Sequence, residues 1–120
     1  MNKKLGFLAL IPLQLSCSVE PEVITETYPS GKKKEEGSIL NNRRVGKWEW
    51  WYASGQKRGE AIYRNGKKNG PAAYWFKNGN LDRKGEFKKG RLHHEWTSWY
   101  SSSVKRSVAT YLRGKFHGPY

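Results

Sequence analysis

His93 and His94 are adjacent, Glu95 follows them directly, and His117 stands apart near the end of the sequence. Imidazole and carboxylate groups are the usual carriers of metal ligation and proton transfer. Neighbouring residues of a strand point to opposite faces. His93 and His94 are therefore expected on opposite sides, and no metal or catalytic role is assigned to them. Glu35, Glu36, Glu60 and Glu86 lie among cations such as Lys57-Arg58 and Arg83-Lys84. That setting predicts cross-strand ion pairs on a solvated face rather than a catalytic acid–base pair. The sequence holds no Gly-x-Ser-x-Gly elbow and no phosphate-cradling Gly-Lys-Ser/Thr loop. It reads as a non-enzyme that needs no cofactor.

Two other groups of residues point to binding. Trp51, Trp75 and Trp99 recur at a constant step, each followed by an aromatic ring, Tyr52, or Phe76, or by Tyr100. They should line one face, as a hydrophobic spine in the favoured reading and as an accessible interaction surface in the other. Cations gather near the expected turns, including Lys67, Lys68, Lys88, Lys89 and Arg91. Lys-rich edges protect a sheet from aggregation, and they also attract anionic lipid, polysaccharide or an acidic protein partner. Nucleic acid ranks lower, because the N-terminal segment described below marks an exported chain.

The elements that must position these residues follow from one internal period. Tyr28-Pro29-Ser30-Gly31, Tyr52-Ala53-Ser54-Gly55, Phe76-Lys77-Asn78-Gly79 and Tyr100-Ser101-Ser102-Ser103 begin 24 residues apart, as do Ile39, Tyr63, Phe87 and Tyr111. Each unit reads as two strands and two turns. Lys57 to Tyr63 is one strand, Arg64-Asn65-Gly66-Lys67 a hairpin turn, and Pro71 to Phe76 the return. Small residues Ala61, Gly85 and Ala109 fall where large rings from a neighbouring strand would pack. The expected fold is all-β: an elongated single-layer antiparallel meander of hairpins over residues 28–120, about three and a half units. Both terminal strands would be open edges, which leaves the oligomeric state open.

Aromatic residues, 14% of the chain, are enough to hold such a thin structure together despite a hydrophobic fraction of only 36%. Charge is strongly positive, with 23 Lys and Arg against 10 Asp and Glu. Three of the acids, Glu20, Glu22 and Glu26, lie before Tyr28, so the repeated body is more basic still.

Met1-Asn2-Lys3-Lys4 followed by the apolar run from Leu5 to Leu13 has the form of an export signal and is too short to span a bilayer. The run closes at Leu13-Gln14-Leu15-Ser16-Cys17, which resembles a bacterial lipobox. That resemblance implies cleavage after residue 16 and acylation of Cys17. Residues 1–16 are then a signal peptide and 17–27 an acylated cysteine with its tether. The protein is expected in the cell envelope, held to a membrane by its lipid.

The repeated body resembles the MORN repeat, most closely the bacterial variant of the YwqK-type antitoxin family. The resemblance rests on Gly46-Lys47-Trp48-Glu49-Trp50-Trp51-Tyr52-Ala53-Ser54-Gly55-Gln56-Lys57 and on Tyr63-Arg64-Asn65-Gly66-Lys67-Lys68-Asn69-Gly70-Pro71. It continues in Phe76-Lys77-Asn78-Gly79-Asn80-Leu81 and Gly85-Glu86-Phe87-Lys88-Lys89-Gly90. Such a resemblance implies stacked hairpins in one sheet and a role as an interaction module. The expected function is that of a lipoprotein binding or scaffold module. The alternatives are an antitoxin-like protein that neutralises a partner and an electrostatic binder of anionic lipid or polysaccharide.

Overall fold

The computed structural model describes residues 19–112 and 114–116. The expected signal peptide, Cys17 and His117 lie outside the described residues. Nine strands are described: β1 (Glu22–Thr27), β2 (Lys33–Leu40), β3 (Arg43–Trp51), β4 (Lys57–Arg64), β5 (Lys67–Trp75), β6 (Leu81–Lys88), β7 (Arg91–Trp99), β8 (Lys105–Leu112) and β9 (Lys115–Phe116). They form one sheet in sequence order, every neighbouring pair antiparallel. The molecule measures 59 × 36 × 13 Å. The described strands pack only on their sequence neighbours, with no strand lying over another, so the body is a single layer, as the repeat predicts.

One boundary differs from expectation. Residues 22–27, assigned above to the tether, form β1 and pair with β2 from Glu22 opposite Ile39 to Thr27 opposite Lys33. Val23, Ile24, Thr25 and Thr27 are β-branched and suit a pleated strand, a preference the glutamates between them obscured. Thr25 Oγ1 donates to Glu36 Oε2 at 2.7 Å, tying the added strand to the sheet.

Turns alternate between the two long edges. On one edge the central pairs Asn41-Asn42, Asn65-Gly66 and Lys89-Gly90 all have positive φ, which is the type I′ geometry of tight hairpins. On the other edge, the backbone N–H groups of Tyr28, Tyr52, Phe76 and Tyr100 each donate to the carbonyl four residues on. The period of 24 residues is thus one full cycle of both turns.

What holds the layer together is a ring laid on a glycine. Trp48 is only 1% exposed. A Cβ added to Gly37 would lie 2.1 Å from the Trp48 ring, and one added to Gly85 would lie 2.4 Å from the Trp96 ring. No residue larger than glycine fits beneath either indole. The expected small partners are present on the following strand, where Ala61 pairs with Trp48 and Ala109 with Trp96. Each indole N–H reaches back to a carbonyl, Trp48 to Ser38 at 3.0 Å and Trp96 to Glu86 at 2.9 Å.

A bulge creates the room. Ser38 pairs with Val45 and Glu36 with Glu49, so residues 46–48 stand opposite Gly37 alone. The same irregularity places residues 94–96 opposite Gly85.

The buried hydrophobic residues are Trp48, Ala61, Ala72 and Trp96, with Trp50, Tyr63, Tyr74, Phe87, Leu92 and Tyr111 packed against that core. This corrects the favoured reading of Trp51, Trp75 and Trp99 as the spine, because all three are only half-buried. Trp51 and Trp75 share the opposite face with Glu49, Glu60 and Lys57. The tryptophans that alternate with them inside the strands carry the packing instead.

Gly37→Ala and Gly85→Ala are each expected to lower the unfolding free energy by about 1–3 kcal/mol, the usual cost of forcing an atom into a filled site. Urea unfolding followed by tryptophan fluorescence measures this, and unchanged midpoints would mean that the rings do not rest on these glycines.

Candidate functional site

The core face carries a row of cations lying over its rings. Arg44, the second residue of β3, places its guanidinium 3.9 Å from the centre of the Trp48 ring and 5.6 Å from that of Tyr63. Glu35 holds it from β2 at 3.1 Å and also accepts the Trp50 indole N–H at 2.7 Å. One repeat later Lys68 lies 5.7 Å from the Trp50 ring, 5.4 Å from Tyr74 and 5.0 Å from Phe87. Its ammonium donates to the Tyr74 hydroxyl at 2.9 Å. Leu92 occupies the next equivalent position, where the cation gives way to an apolar cover.

Each cation–π contact at an exposed site is worth about 0.5–1 kcal/mol, so the row fixes ring orientation more than it stabilises the fold. Beside Lys68 an open groove of about 370 Å³ is lined by Trp50, Gly59 and Tyr74, by the cations Arg58 and Arg83, and by one carboxylate, Asp82. It offers flat aromatic walls together with several fixed positive groups.

The sequence-selected residues divide between two places. Trp51, Trp75 and Trp99 end β3, β5 and β7, and Tyr52, Phe76 and Tyr100 open the turns that follow. The Tyr52 hydroxyl donates to the Trp75 carbonyl at 2.7 Å, as Tyr28 does to Trp51, which locks successive turns together. Phe76 lacks the hydroxyl, and Tyr100 is 54% exposed. Lys67, Lys88, Lys89 and Arg91 sit at the other ends of the strands. Lys67 and Trp75 are eight residues apart along β5, about 26 Å at the rise of an extended strand. These aromatics and cations cannot grip one small ligand together. Lys68 is the member of the selected set that joins the core-face rings.

Arg43, Arg64, Lys67 and Lys89 line a groove of about 820 Å³ along the tight-turn edge. Lys67, Lys88, Lys89 and Arg91, with His93 and Leu112, line a second of about 680 Å³. Neither is lined by a carboxylate. Arg44, Trp50, Tyr74 and Arg83 are the residues that sequence reading left out of the set. The signal for one of them was present, since Arg44 stands one period before the selected Lys68.

Residues 44–65 and 68–89 each match the family model of the MORN repeat variant. The chain is MORN-repeat-like. No curated protein matches it. The two matched segments of the MORN-like sheet begin at Arg44 and Lys68, the same cations that cover its rings.

The expected ion pairs are found on both faces. Glu35 pairs with Arg44, Glu36 with Lys33, and Glu60 with Lys57 and Lys47. Lys57 also donates to Glu49 at 2.6 Å. The Thr25 hydroxyl, followed by Lys33, holds the Glu36 carboxyl below its ordinary value. Partial burial pushes Lys57 downward, but hydrogen bonds to Glu49 and Glu60 outweigh it and raise Lys57 above its ordinary 10.5. Burial likewise pushes Glu60 upward, and Lys57 with Lys47 brings it below its ordinary 4.5.

His93 and His94 are not on opposite faces. Their rings stack with centres 3.8 Å apart, and His94 Nδ1 lies 3.2 Å from Glu86. The expected alternation fails because His94 has a φ of 61°, inside the bulge, where the strand reverses its side-chain sense.

The Glu60 pairing contributes stability that is full above the ordinary carboxylate value and is lost as pH falls through the lowered folded one. Lys57 contributes below its ordinary value and loses that contribution as pH rises through its raised one. Glu60→Gln is therefore expected to be less stable than wild type at pH 7 by about 1 kcal/mol or less, with the two converging in acid. Urea unfolding between pH 7 and pH 3 reads the difference, and curves that stay parallel would assign the pairing no energetic role.

Proposed function

We propose that this MORN-like protein is a non-enzymatic, lipid-anchored envelope module that stands edge-on at a membrane and presents its core-face rings to a partner. The observation that carries the reading is where the chain enters the sheet. Glu22, the first residue of β1, pairs with Ile39 beside the Asn41-Asn42 turn. The entry therefore lies on the same long edge as Arg43, Arg64, Lys67, Lys88, Lys89 and Arg91. Cys17 is five residues before Glu22, a reach of at most roughly 18 Å. A lipid on Cys17 would hold this basic edge against the headgroups.

The energetics favour that arrangement. Lipid on Cys17 anchors the chain by its buried CH2 groups but sets no orientation of the sheet, and a basic patch supplies one. Each Lys or Arg close to an anionic surface adds about 1 kcal/mol. Edge-on attachment also leaves both faces clear. A single-layer sheet cannot cover its own rings with a second layer, and an aromatic, cation-lined groove facing solvent suits an acidic partner.

Two measurements test this. Intact mass of protein from the native envelope is expected to show a chain beginning at an acylated Cys17. A full-length chain with unmodified Met1 would remove the anchor from the reading and favour an antitoxin-like role instead. In flotation with vesicles, protein carrying Cys17→Ala, and so without the lipid, is expected to bind anionic phospholipid and to lose binding as salt rises. Lys67→Glu with Lys89→Glu and Arg91→Glu should weaken that binding at least tenfold, while Trp50→Ala with Lys68→Ala on the core face leaves it unchanged. Equal binding to zwitterionic vesicles, or insensitivity to the edge charges, would overturn the edge-on arrangement.

A further inference from the structure

We infer that Glu86, His93 and His94 form a binding site for a first-row divalent cation such as zinc, bordering the basic edge, one of whose grooves His93 lines. Glu86 of β6 pairs directly with His93 of β7. Directly opposed residues of a sheet bring their side chains within reach of each other on one face. His94 joins them through the bulge. A ligand atom from each of the three residues lies within 4.8 Å of the other two. Zinc bound to imidazole and carboxylate at about 2.0–2.2 Å needs tetrahedral ligand atoms roughly 3.4 Å apart. Glu86 and His94 already approach to 3.2 Å. His94 is 68% exposed, so its ring has room to rotate out of its stack on His93 and close the triangle.

Two further observations favour a ligand there. His94 stands where the two earlier units have Gly46 and Gly70, and all three share a positive φ, of 61°, 71° and 122°. A side chain at positive φ is disfavoured by contact between its Cβ and the backbone. The sequence has thus placed an imidazole at a position that glycine fills without strain in the equivalent strands, beside the one pair of residues able to share a metal with it. In addition, His93 Nδ1 is buried and is the one such side-chain atom among the described residues without a hydrogen-bond partner. Buried polar atoms are normally satisfied, and a bound cation on the imidazole is one way to do so.

The donor set of two imidazoles and one carboxylate suits zinc, copper or nickel over magnesium or calcium. Three protein ligands leave at least one coordination position for water or for a carboxylate of another molecule. A cleft of about 400 Å³ lined by Asn69, Glu86 and His93 opens the site to solvent, and Arg64, Lys88 and Lys89 on its wall oppose a bare cation while favouring an anionic ligand in the open coordination position. The competing account is a simple His94–Glu86 ion pair with no metal.

Titration of the purified full chain, prepared without a polyhistidine tag, with cobalt(II) as the spectroscopic probe separates the two. The inference expects visible d–d absorption that saturates at one equivalent and is displaced by zinc. His94→Gly restores the residue of the other units, so its metal-free unfolding midpoint should be equal to or above that of wild type. Its cobalt affinity should fall at least tenfold, as should that of Glu86→Gln. Zinc should raise the wild-type midpoint and leave that of His94→Gly unmoved. Absence of a cobalt spectrum in the wild type, or cobalt binding by His94→Gly as tight as by wild type, would overturn the site and leave the ion pair as the explanation.

Discussion

The contact between an indole ring and a bare glycine backbone decides most of this architecture. A sheet of one layer has no facing sheet to supply its core, so its apolar side chains must lie down along the strands. Trp48 does this across Gly37 and Trp96 across Gly85, where even a methyl group would overlap the ring. Laying a ring flat requires space along the strand, and the bulges at residues 46–48 and 94–96 provide it. A positive φ recurs in each bulge, at Gly46, Gly70 and His94, so the backbone keeps this form even in the middle unit, where no indole lies on it. Those bulges then set the places where a strand departs from simple alternation, which is also where the two histidines come together.

The middle unit meets the demand differently, and the groove lies there. At the positions equivalent to Trp48 and Trp96 it has Ala72, which pairs with Ala61, and neither alanine fills the volume of an indole. Tyr74 instead leans on Gly59, where a Cβ would lie 2.7 Å from its ring, with Trp50 alongside. The backbone repeats every 24 residues, whereas the packing alternates over 48. Gly59, Trp50 and Tyr74 consequently line the open groove, and Lys68 reaches across them.

Sequence alone revealed the single sheet, its strand order and its two kinds of turn, because a constant 24-residue step leaves few ways to fold. Pairing of small residues with large rings was legible too, through Ala61 and Ala109. The face that forms the core was not. Trp51 recurs perfectly at 75 and 99, while Trp48 is followed by Ala72 and then Trp96, so the more regular series drew attention away from the buried one. Regularity here marks strand ends, whose role of closing turns is the same in every unit. The buried positions vary because the ring–glycine contact can move two residues along its pair of strands, as from Trp48 over Gly37 to Tyr74 over Gly59, and still fill the layer. His94 was misjudged for a related reason. Strict alternation is a property of unbroken strands, and a bulge cannot be read from the sequence once histidine has replaced the glycine that would have marked it.

The separation of aromatic turns from tight basic turns follows from chain direction. β3, β5 and β7 each begin at the tight-turn edge and end at the aromatic one, so any residue fixed at the start of a unit returns to the same edge each time. Lys67, Lys88, Lys89 and Arg91 collect on one side by this rule, and Trp51, Trp75 and Trp99 on the other. β1 fits the same rule, since its first residue opposes Ile39 near a tight turn. Whatever precedes Glu22 must therefore approach from the basic side. A ligand for the sheet meets three distinct chemistries: a cationic edge, a hydrogen-bonded aromatic edge, and between them a face of rings covered by Arg44 and Lys68. Cations lie over rings on the opposite face as well, Lys33 at Trp51 and Lys57 at Trp75, but those two ammonium groups are paired with Glu36, Glu49 and Glu60, whereas Lys68 stands among Trp50, Tyr74 and Phe87 at the open groove, where stacking and positive charge can act on one ligand together.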